Sequence, residues 1–322
     1  MHVVTDLVGY DPPAGGTVVT IGAYDGVHLG HVAVLRLVRD LAAARGLEAV
    51  CLTFDRHPAE VVRPDTAPKL LTTLEQKLEL LDATGFVDTS CVLTFDEVRS
   101  REPAEEFVRE VLVNGLGAHL VVVGADFHFG YHRHGNVKLL EQMGGELGFE
   151  TLGLGLVPVE GDATAMAYSS TRIRDLLGGG DVAGAARLLG KPPRPYELRG
   201  AVEPGDKRGR ELGFPTANVA VPDRICLPGD GIYAGTFVDE SGDERGCAIS
   251  LGRRPTFYEH ADASLLEAFV LDFDGDLYGQ VVKVRFVDRI RGEERFDSVE
   301  ALVAQIGRDV EAVRAVLASE RS

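Results

Sequence analysis

The sequence predicts an α/β chain of two domains, a doubly wound parallel sheet followed by antiparallel strands and a terminal helix. Three observations carry this. Short apolar runs alternate with helix-period runs through the first half, a break rich in glycine and proline follows, and short strands separated by turn signals come after it.

In order along the chain, residues 18–21, 49–54 and 120–123 are continuous apolar runs of strand length, as buried parallel strands require. Residues 32–45, 74–84 and 104–112 place apolar side chains every three or four positions and are expected to be helices. The glycines at 178–180, a short helix-like stretch to Leu189 and the string KPPRP at 191–195 mark the division, because clustered prolines continue neither a helix nor a central strand. We therefore expect a first domain over 1–186, a linker over 187–195 and a second domain over 196–322. Residues 232–238, 247–251, 265–273 and 281–286 alternate as strands of an antiparallel barrel or sandwich. A tight hairpin is expected at Asp274 and Gly275. The last helix should start at Asp297 as N-cap, with Glu300 at N3, and present Val299, Leu302, Val303, Ile306, Val310, Val313 and Leu317 on one face.

The 322 residues are 45% hydrophobic, enough for a sizeable core. A net charge of −17 argues against nucleic acid as a partner, since binding a phosphate backbone needs a basic surface. Cys51, Cys91, Cys226 and Cys247 form no C-x-x-C pair, which fits a reduced cytoplasmic setting. No run of 18 apolar residues occurs, and residues 1–10 have no basic, leader-like pattern, so no membrane or targeting segment is expected.

The densest chemistry is GAYDGVHLGH at 22–31, directly after the first buried strand and leading into a helix. A strand that breaks at glycines and restarts as a helix aims backbone N–H groups and the positive end of a dipole at one point, where phosphate is favoured. His28 and His31 sit three apart, so both imidazoles can reach one polyphosphate, and Gly30 leaves room for close approach. The alternative of half a zinc site is disfavoured, because a helix N-terminus repels cations. SSTRIR at 169–174 is a second phosphate-facing string. Its hydroxyls alone would read as helix caps, but Arg172 and Arg174 oppose the dipole unless an anion is bound there. His128, His132 and His134 cluster in FHFGYHRH at 127–134, where a glycine-containing loop makes a metal site the less favoured reading.

GAYDGVHLGH resembles the His-x-Gly-His signature of the nucleotidylyltransferases. Together with TFDRHP at 53–58, GADFHFG at 124–130 and SSTRIR, it is similar to the FMN adenylyltransferase module of bacterial bifunctional riboflavin kinase/FAD synthetases. The resemblance implies a Rossmann-like nucleotidylyltransferase domain in which Gly22, Asp25, His28, Gly30, His31, Ser170, Thr171, Arg172 and Arg174 hold ATP phosphates. Phe54, His57, Pro58, Asp126 and Phe127 would help form the flavin site. It implies attack of the FMN phosphate on the α-phosphorus of ATP, with His28 and His31 as catalytic electrostatic clamps. Ala23, Tyr24 and Tyr168 depart from the family, which often has Asn, Phe and Ile or Val there.

In the second domain, GDKRGRELGFPTAN at 205–218 joins a glycine-rich basic loop to a Thr-x-Asn pair of hard oxygen ligands. A surface hairpin is the plain alternative, and no Walker pattern is present. The string GFPTAN, with GRRPTF at 252–257, LEAFVLDF at 266–273 and DLYG at 276–279, resembles the riboflavin kinases. That resemblance implies a β-barrel kinase domain, with Gly205, Lys207 and Gly209 at ATP, Thr216 and Asn218 at Mg²⁺, and Glu267 as catalytic base. Alternation puts Glu267 on one strand face with Leu265, Phe269, Leu271 and Phe273, either as a paired structural charge or as a base. The spacing of Asp272, Asp274 and Asp276 fails as a calcium loop because Lys283 stands where the bidentate glutamate belongs.

The expected function is two-step flavin cofactor synthesis: riboflavin and ATP give FMN, then FMN and ATP give FAD and pyrophosphate, with Mg²⁺ assisting. An enzyme with one working half, the kinase, and a non-catalytic flavin-binding sensor are the alternatives. Partners are small molecules, with neither nucleic acid nor membrane, and homo-oligomerisation is left open.

Overall fold

The computed structural model describes residues 1–5, 7–159, 167–205, 209, 212–253 and 264–320. The chain divides into two compact units, Met1–Ser170 and Thr171–Ser322.

The first unit is built on strands β1 (His2–Val4), β2 (Thr17–Ile21), β3 (Glu48–Phe54), β4 (Thr89–Leu93), β5 (Ala118–Gly124) and, beyond a small β6–β7 ribbon (His128–Phe129 and Gly135–Asn136), β8 (Glu150–Leu154). Six strands form one sheet in the order β1-β4-β3-β2-β5-β8, and each pairing is parallel. Helices α1 (Leu29–Arg45), α2 (Pro58–Val62), α3 (Leu74–Ala83), α4 (Glu97–Ser100), α5 (Ala104–Glu106) and α6 (Val137–Leu147) connect them. The central strands are buried on both faces, which is why 18–21, 49–54 and 120–123 are apolar without alternation. One core pairs Val19, Val50, Leu52, Val121 and Val123 with Phe107, Val111, Leu112 and Leu140, and a second joins Val18, Ala49, Leu120 and Val122 to Val38 and Ala42. The helix expected over 104–112 continues to Gly115 through π-type turns, where Leu116 N donates to Val111 O at 3.0 Å.

Because β2 lies between β3 and β5, the chain leaves it in opposite directions on its two sides. That topological switch point opens a crevice beyond the carboxyl ends of these strands, where a doubly wound sheet takes its ligand. The polar strings at 22–31, 53–58 and 124–130 follow those three ends.

The second unit opens with α7 (Ser170–Gly178), whose first residue belongs to the other unit, and α8 (Val182–Leu189). Strands β9 (Tyr196–Glu203), β10 (Ala217–Ala220), β11 (Gly231–Val238), β12 (Glu244–Arg253), β13 (Ser264–Val270) and β14 (Val281–Arg291) then close into a barrel in the order β10-β13-β12-β11-β14-β9. The barrel resolves the sandwich alternative. Leu198, Tyr233, Phe237, Ile249, Leu266, Val284 and Phe286 are among its fully buried side chains. Helix α9 (Val299–Glu320) covers it through Val310 and Val313, packed with Ala234 and Leu271. The buried Asp309 accepts from Arg291 Nη2 at 2.7 Å and Nε at 3.0 Å.

Three local expectations are corrected. The cap of α9 is Ser298 rather than Asp297, because Ala301 N donates to Ser298 Oγ at 3.1 Å. Strands β13 and β14 are not neighbours, so no tight hairpin forms at Asp274 and Gly275; residues 271–280 are a longer crossing in which Asp272 takes φ 54° and pairs with Arg314. Strand β13 ends at Val270, so the alternation drawn to Phe273 stops three residues early.

Candidate functional site

In the first unit, residues 22–28 wind through left-handed backbone at Tyr24, Gly26 and Val27 before α1 begins. The buried Asp25 carboxylate holds this loop, with Oδ1 accepting from Leu71 N at 2.9 Å and Thr72 N at 3.1 Å, while Gly26 N donates to Thr72 Oγ1 at 3.2 Å. Asp25 thus spends its oxygens on the loop's anchorage. Ser170 Oγ donates to Asp25 O at 2.9 Å, so the start of SSTRIR is tied to the same loop.

His28 is the N-cap of α1, and its Nδ1 accepts from His31 N at 3.4 Å, which leaves the proton of the neutral ring on Nε2. The two imidazoles stack with centroids 3.7 Å apart. His31 Nδ1 is buried without a hydrogen-bond partner, and burial, then His28, then Lys77 hold the His31 imidazole well below its ordinary pKa. The Tyr24 ring lies 4.9 Å from His31, and its hydroxyl is 2.8 Å from Thr20 Oγ1, so the extra oxygen of this departure from the family is satisfied inside the protein. A Cβ on Gly30 would lie 2.9 Å from Tyr168 Cβ and 3.1 Å from the His28 ring, so the missing side chain lets both pack against the start of α1.

Phe54 ends β3 and packs edge-on against Phe95, while His57 and Pro58 start α2, where His57 Nδ1 caps Ala59 N at 3.1 Å. Asp126 is exposed after β5, and Phe127 stacks on Phe129. Gly22, Phe54, His57, Asp126 and Phe127 therefore follow the carboxyl ends of three adjacent strands. His128 Nδ1 lies 2.7 Å from Asp126 O, and the rings of His132 and His134 are 6.4 Å apart. Thr171, Arg172 and Arg174 continue α7 in the second unit.

Lys77 escaped the sequence reading. Its Nζ donates to Phe54 O at 2.7 Å and to Ala23 O and Thr53 Oγ1 at 3.2 Å each, beneath the loop. A signal existed: Leu74, Lys77, Leu78 and Leu81 share the inward spacing of α3, so a cation sits in an apolar stripe behind the Thr73–Gln76 capping box.

In the second unit, Glu267 of β13 stands directly opposite Asn218 of β10 on one side and Ser250 of β12 on the other. The buried residues of β13 are Leu266, Ala268 and Val270. Glu267 thus lies on the half-exposed outer face with Leu265 and Phe269, rather than on a core face. Thr216 and Asn218, two apart, flank the buried Ala217 and share that outer face. Asn218 Oδ1 is buried without a hydrogen-bond partner. Gly205 lies against the Asn218 amide so closely that a Cβ would overlap it, and a Cβ on Gly209 would be 3.3 Å from Thr216 Oγ1. Gly205 and Gly209 therefore both lie against the Thr-x-Asn pair. Lys207, and residues 254–257 of GRRPTF, lie outside the described residues. The ladder adds Ser250, which no local pattern marks.

Among the described residues no helix is long and apolar enough to cross a membrane. Family models for FAD synthetase and riboflavin kinase match residues 11–168 and 192–317. A bifunctional riboflavin kinase/FMN adenylyltransferase of Pseudomonas fluorescens is 38% identical over 99% of this chain and 98% of its own. One from Haemophilus influenzae is 36% identical over 98% and 99%. A crystal structure described as a macrolide-efflux protein from Streptococcus pneumoniae superimposes with a TM-score of 0.82 at 29% identity, covering 97% of this chain and 98% of that one. With a family model for FAD synthetase matching the first unit, one for riboflavin kinase matching the second, and relatives that join both over nearly their whole length, the chain belongs to the bifunctional riboflavin kinase/FMN adenylyltransferase family.

Proposed function

We propose that the chain makes FMN on its barrel and FAD on its parallel sheet, and that the residues assembled at each place perform the transfer there. The observation that carries this is the Asn218–Glu267 pair: a carboxylate fixed directly opposite an amide whose buried Oδ1 has no hydrogen-bond partner, with Gly205 lying against that amide.

At the barrel, the riboflavin 5′-hydroxyl oxygen attacks the γ-phosphorus of ATP, the bond to ADP breaks, and Glu267 takes the hydroxyl proton. Thr216 Oγ1 and Asn218 Oδ1 are hard oxygen donors on one face and fit Mg²⁺, with Asn218 Oδ1 otherwise unsatisfied. When bound, the ion supplies charge neutralisation for the transferred phosphoryl group. Gly205 and Gly209, lacking a Cβ, let the backbone lie directly against the Asn218 and Thr216 side chains.

At the sheet, an FMN phosphate oxygen attacks the α-phosphorus of ATP and pyrophosphate leaves. Both reactants already carry charged oxygens, so positioning and neutralisation suffice and no protein nucleophile is needed. His28 and His31 act as clamps at the helix start, with Ser170 on the triphosphate, and Phe54, His57, Pro58, Asp126 and Phe127 toward the flavin. The four cysteines are free and buried, which supports a reducing, cytoplasmic setting.

The test is a time course from riboflavin and Mg²⁺–ATP with products separated. FMN should appear first and FAD later, and chelation of Mg²⁺ should stop both steps. Accumulation of FMN without FAD in the intact protein would leave the barrel reading standing and remove the sheet reading.

A further inference from the structure

The phosphate loop and the flavin segment leave different strands, and the transfer requires their separation to be fixed. The loop leaves β2 through Ala23, and the flavin segment leaves β3 through Thr53 and Phe54. Among the described residues, one side chain from outside both exits bridges them. Lys77, 7% exposed, donates to Ala23 O on the first, and to Phe54 O and Thr53 Oγ1 on the second, while Thr53 Oγ1 itself donates to Ala23 O at 3.2 Å. All three acceptors of the ammonium are neutral oxygens. A buried cation held by neutral oxygens forgoes the Coulomb gain of a close ion pair, so stability alone is a poor reason for it.

We infer that Lys77 is a positioning residue for adenylyl transfer, clamping the end of β2 to the end of β3 and so fixing the distance between the ATP-phosphate loop and the flavin segment. This rests on the proposed reading of the sheet site. The same short stretch grips the loop a second time, since Leu71 and Thr72 bind Asp25 and lie just before α3. The ammonium also contributes, after burial and His28, to keeping the His31 imidazole neutral, and Asp25, Cys51, Asp55 and Glu60 are the groups whose fields act on Lys77 itself.

Misplacement of reactants that are each still bound lowers turnover rather than affinity. Lys77→Met in the full chain keeps the length of the side chain and removes the donors. We expect kcat for FAD formation from FMN to fall at least thirtyfold, with the dissociation constants of FMN and of a non-hydrolysable ATP analogue, each measured alone, moving less than about threefold. FMN formation from riboflavin should be unchanged in the same sample, which reports that the protein is intact. Thr53→Val, a milder change that removes the hydroxyl's links to Lys77 and to Ala23 O, should lower kcat several-fold in the same pattern and decides the matter if Lys77→Met does not fold. A normal kcat, or a loss confined to KM, in a folded variant overturns the inference. The His28→Ala/His31→Ala double variant separates the two readings: FAD formation surviving there rejects the sheet site itself, whereas its loss there beside a normal Lys77→Met rejects the clamp alone.

Discussion

His28 keeps the proton of its neutral ring on Nε2 because its Nδ1 accepts from His31 N. Replacing both histidines by alanine should remove FAD formation by at least a hundredfold while FMN accumulates, since donors of this kind contribute roughly 2.7–4 kcal/mol each to a charged transition state. Timed product separation checks it. Glu267→Gln keeps shape but cannot take the proton, so FMN formation should fall about a hundredfold to ten-thousandfold, with FAD formation from supplied FMN retained. If both rates fell together in a protein with a normal melt, Glu267 would be serving something other than the kinase step. His31 also sets a stability slope. Its folded pKa lies below the ordinary 6.5, so the unfolded chain binds the proton more readily. Stability is complete above that value and is lost as pH falls through it, at up to about 1.4 kcal/mol per pH unit. Urea titrations between pH 7.5 and 5.5 should show that slope diminished in His31→Gln. The histidines, the Thr-x-Asn pair and Glu267 were legible because each lies in a short string of unusual chemistry. Lys77 and Ser250 were not, because what matters about them is a neighbour far away in sequence, and Asp25 was legible as a polar loop residue but not as an anchor for Leu71 and Thr72.

At the scale of elements, the α1 start is a packed joint. Gly30→Ala adds a carbon 2.9 Å from Tyr168 Cβ and 3.1 Å from the His28 ring, and one of the two must yield. Displacing the ring should slow FAD formation roughly tenfold or more, because small errors in reactant placement are expensive. Kinetics of the variant with FMN as substrate decide it, and a rate within twofold of the parent means the joint is pliable. The central strands and long helices were readable because two-sided burial and 3.6-residue periodicity leave strong patterns. Strand β1 is three residues long, and β8 is an edge with exposed Glu150 and Gly153. Strands β9 and β10 are partly exposed, and so all four leave weak patterns. The Asp274–Gly275 signal was a true turn composition in the wrong topology, since pairing in a closed barrel is set by strands that are distant in sequence.

For the whole molecule, α7 and α8 precede the prolines yet group with the barrel. Gly229 N donates to Leu177 O at 2.8 Å, Arg289 Nη1 to Gly179 O at 3.2 Å, and Val182, Ala185, Leu188 and Leu189 are buried. A fragment of residues 171–322 should therefore melt higher than one of residues 196–322. Each large apolar side chain stripped of its cover costs roughly 1.5–3 kcal/mol. Both fragments are expected to make FMN and no FAD. Equal melting temperatures would show that the helix pair adds nothing to the barrel.

The Asn218–Glu267–Ser250 row also constrains how this half of the chain can change in length. Side chains along a strand point alternately out and in, so deleting one residue ahead of Glu267 would swing the carboxylate into the space filled by Leu266 and Ala268. Because the six strands form a ring, the slip cannot be absorbed at a free edge; it must be passed to every neighbour or open a seam. Two-residue changes preserve the facing, and changes within 271–280 leave it untouched. Insertions and deletions in barrels of this kind should therefore gather between strands, while the strands themselves diverge by substitution alone.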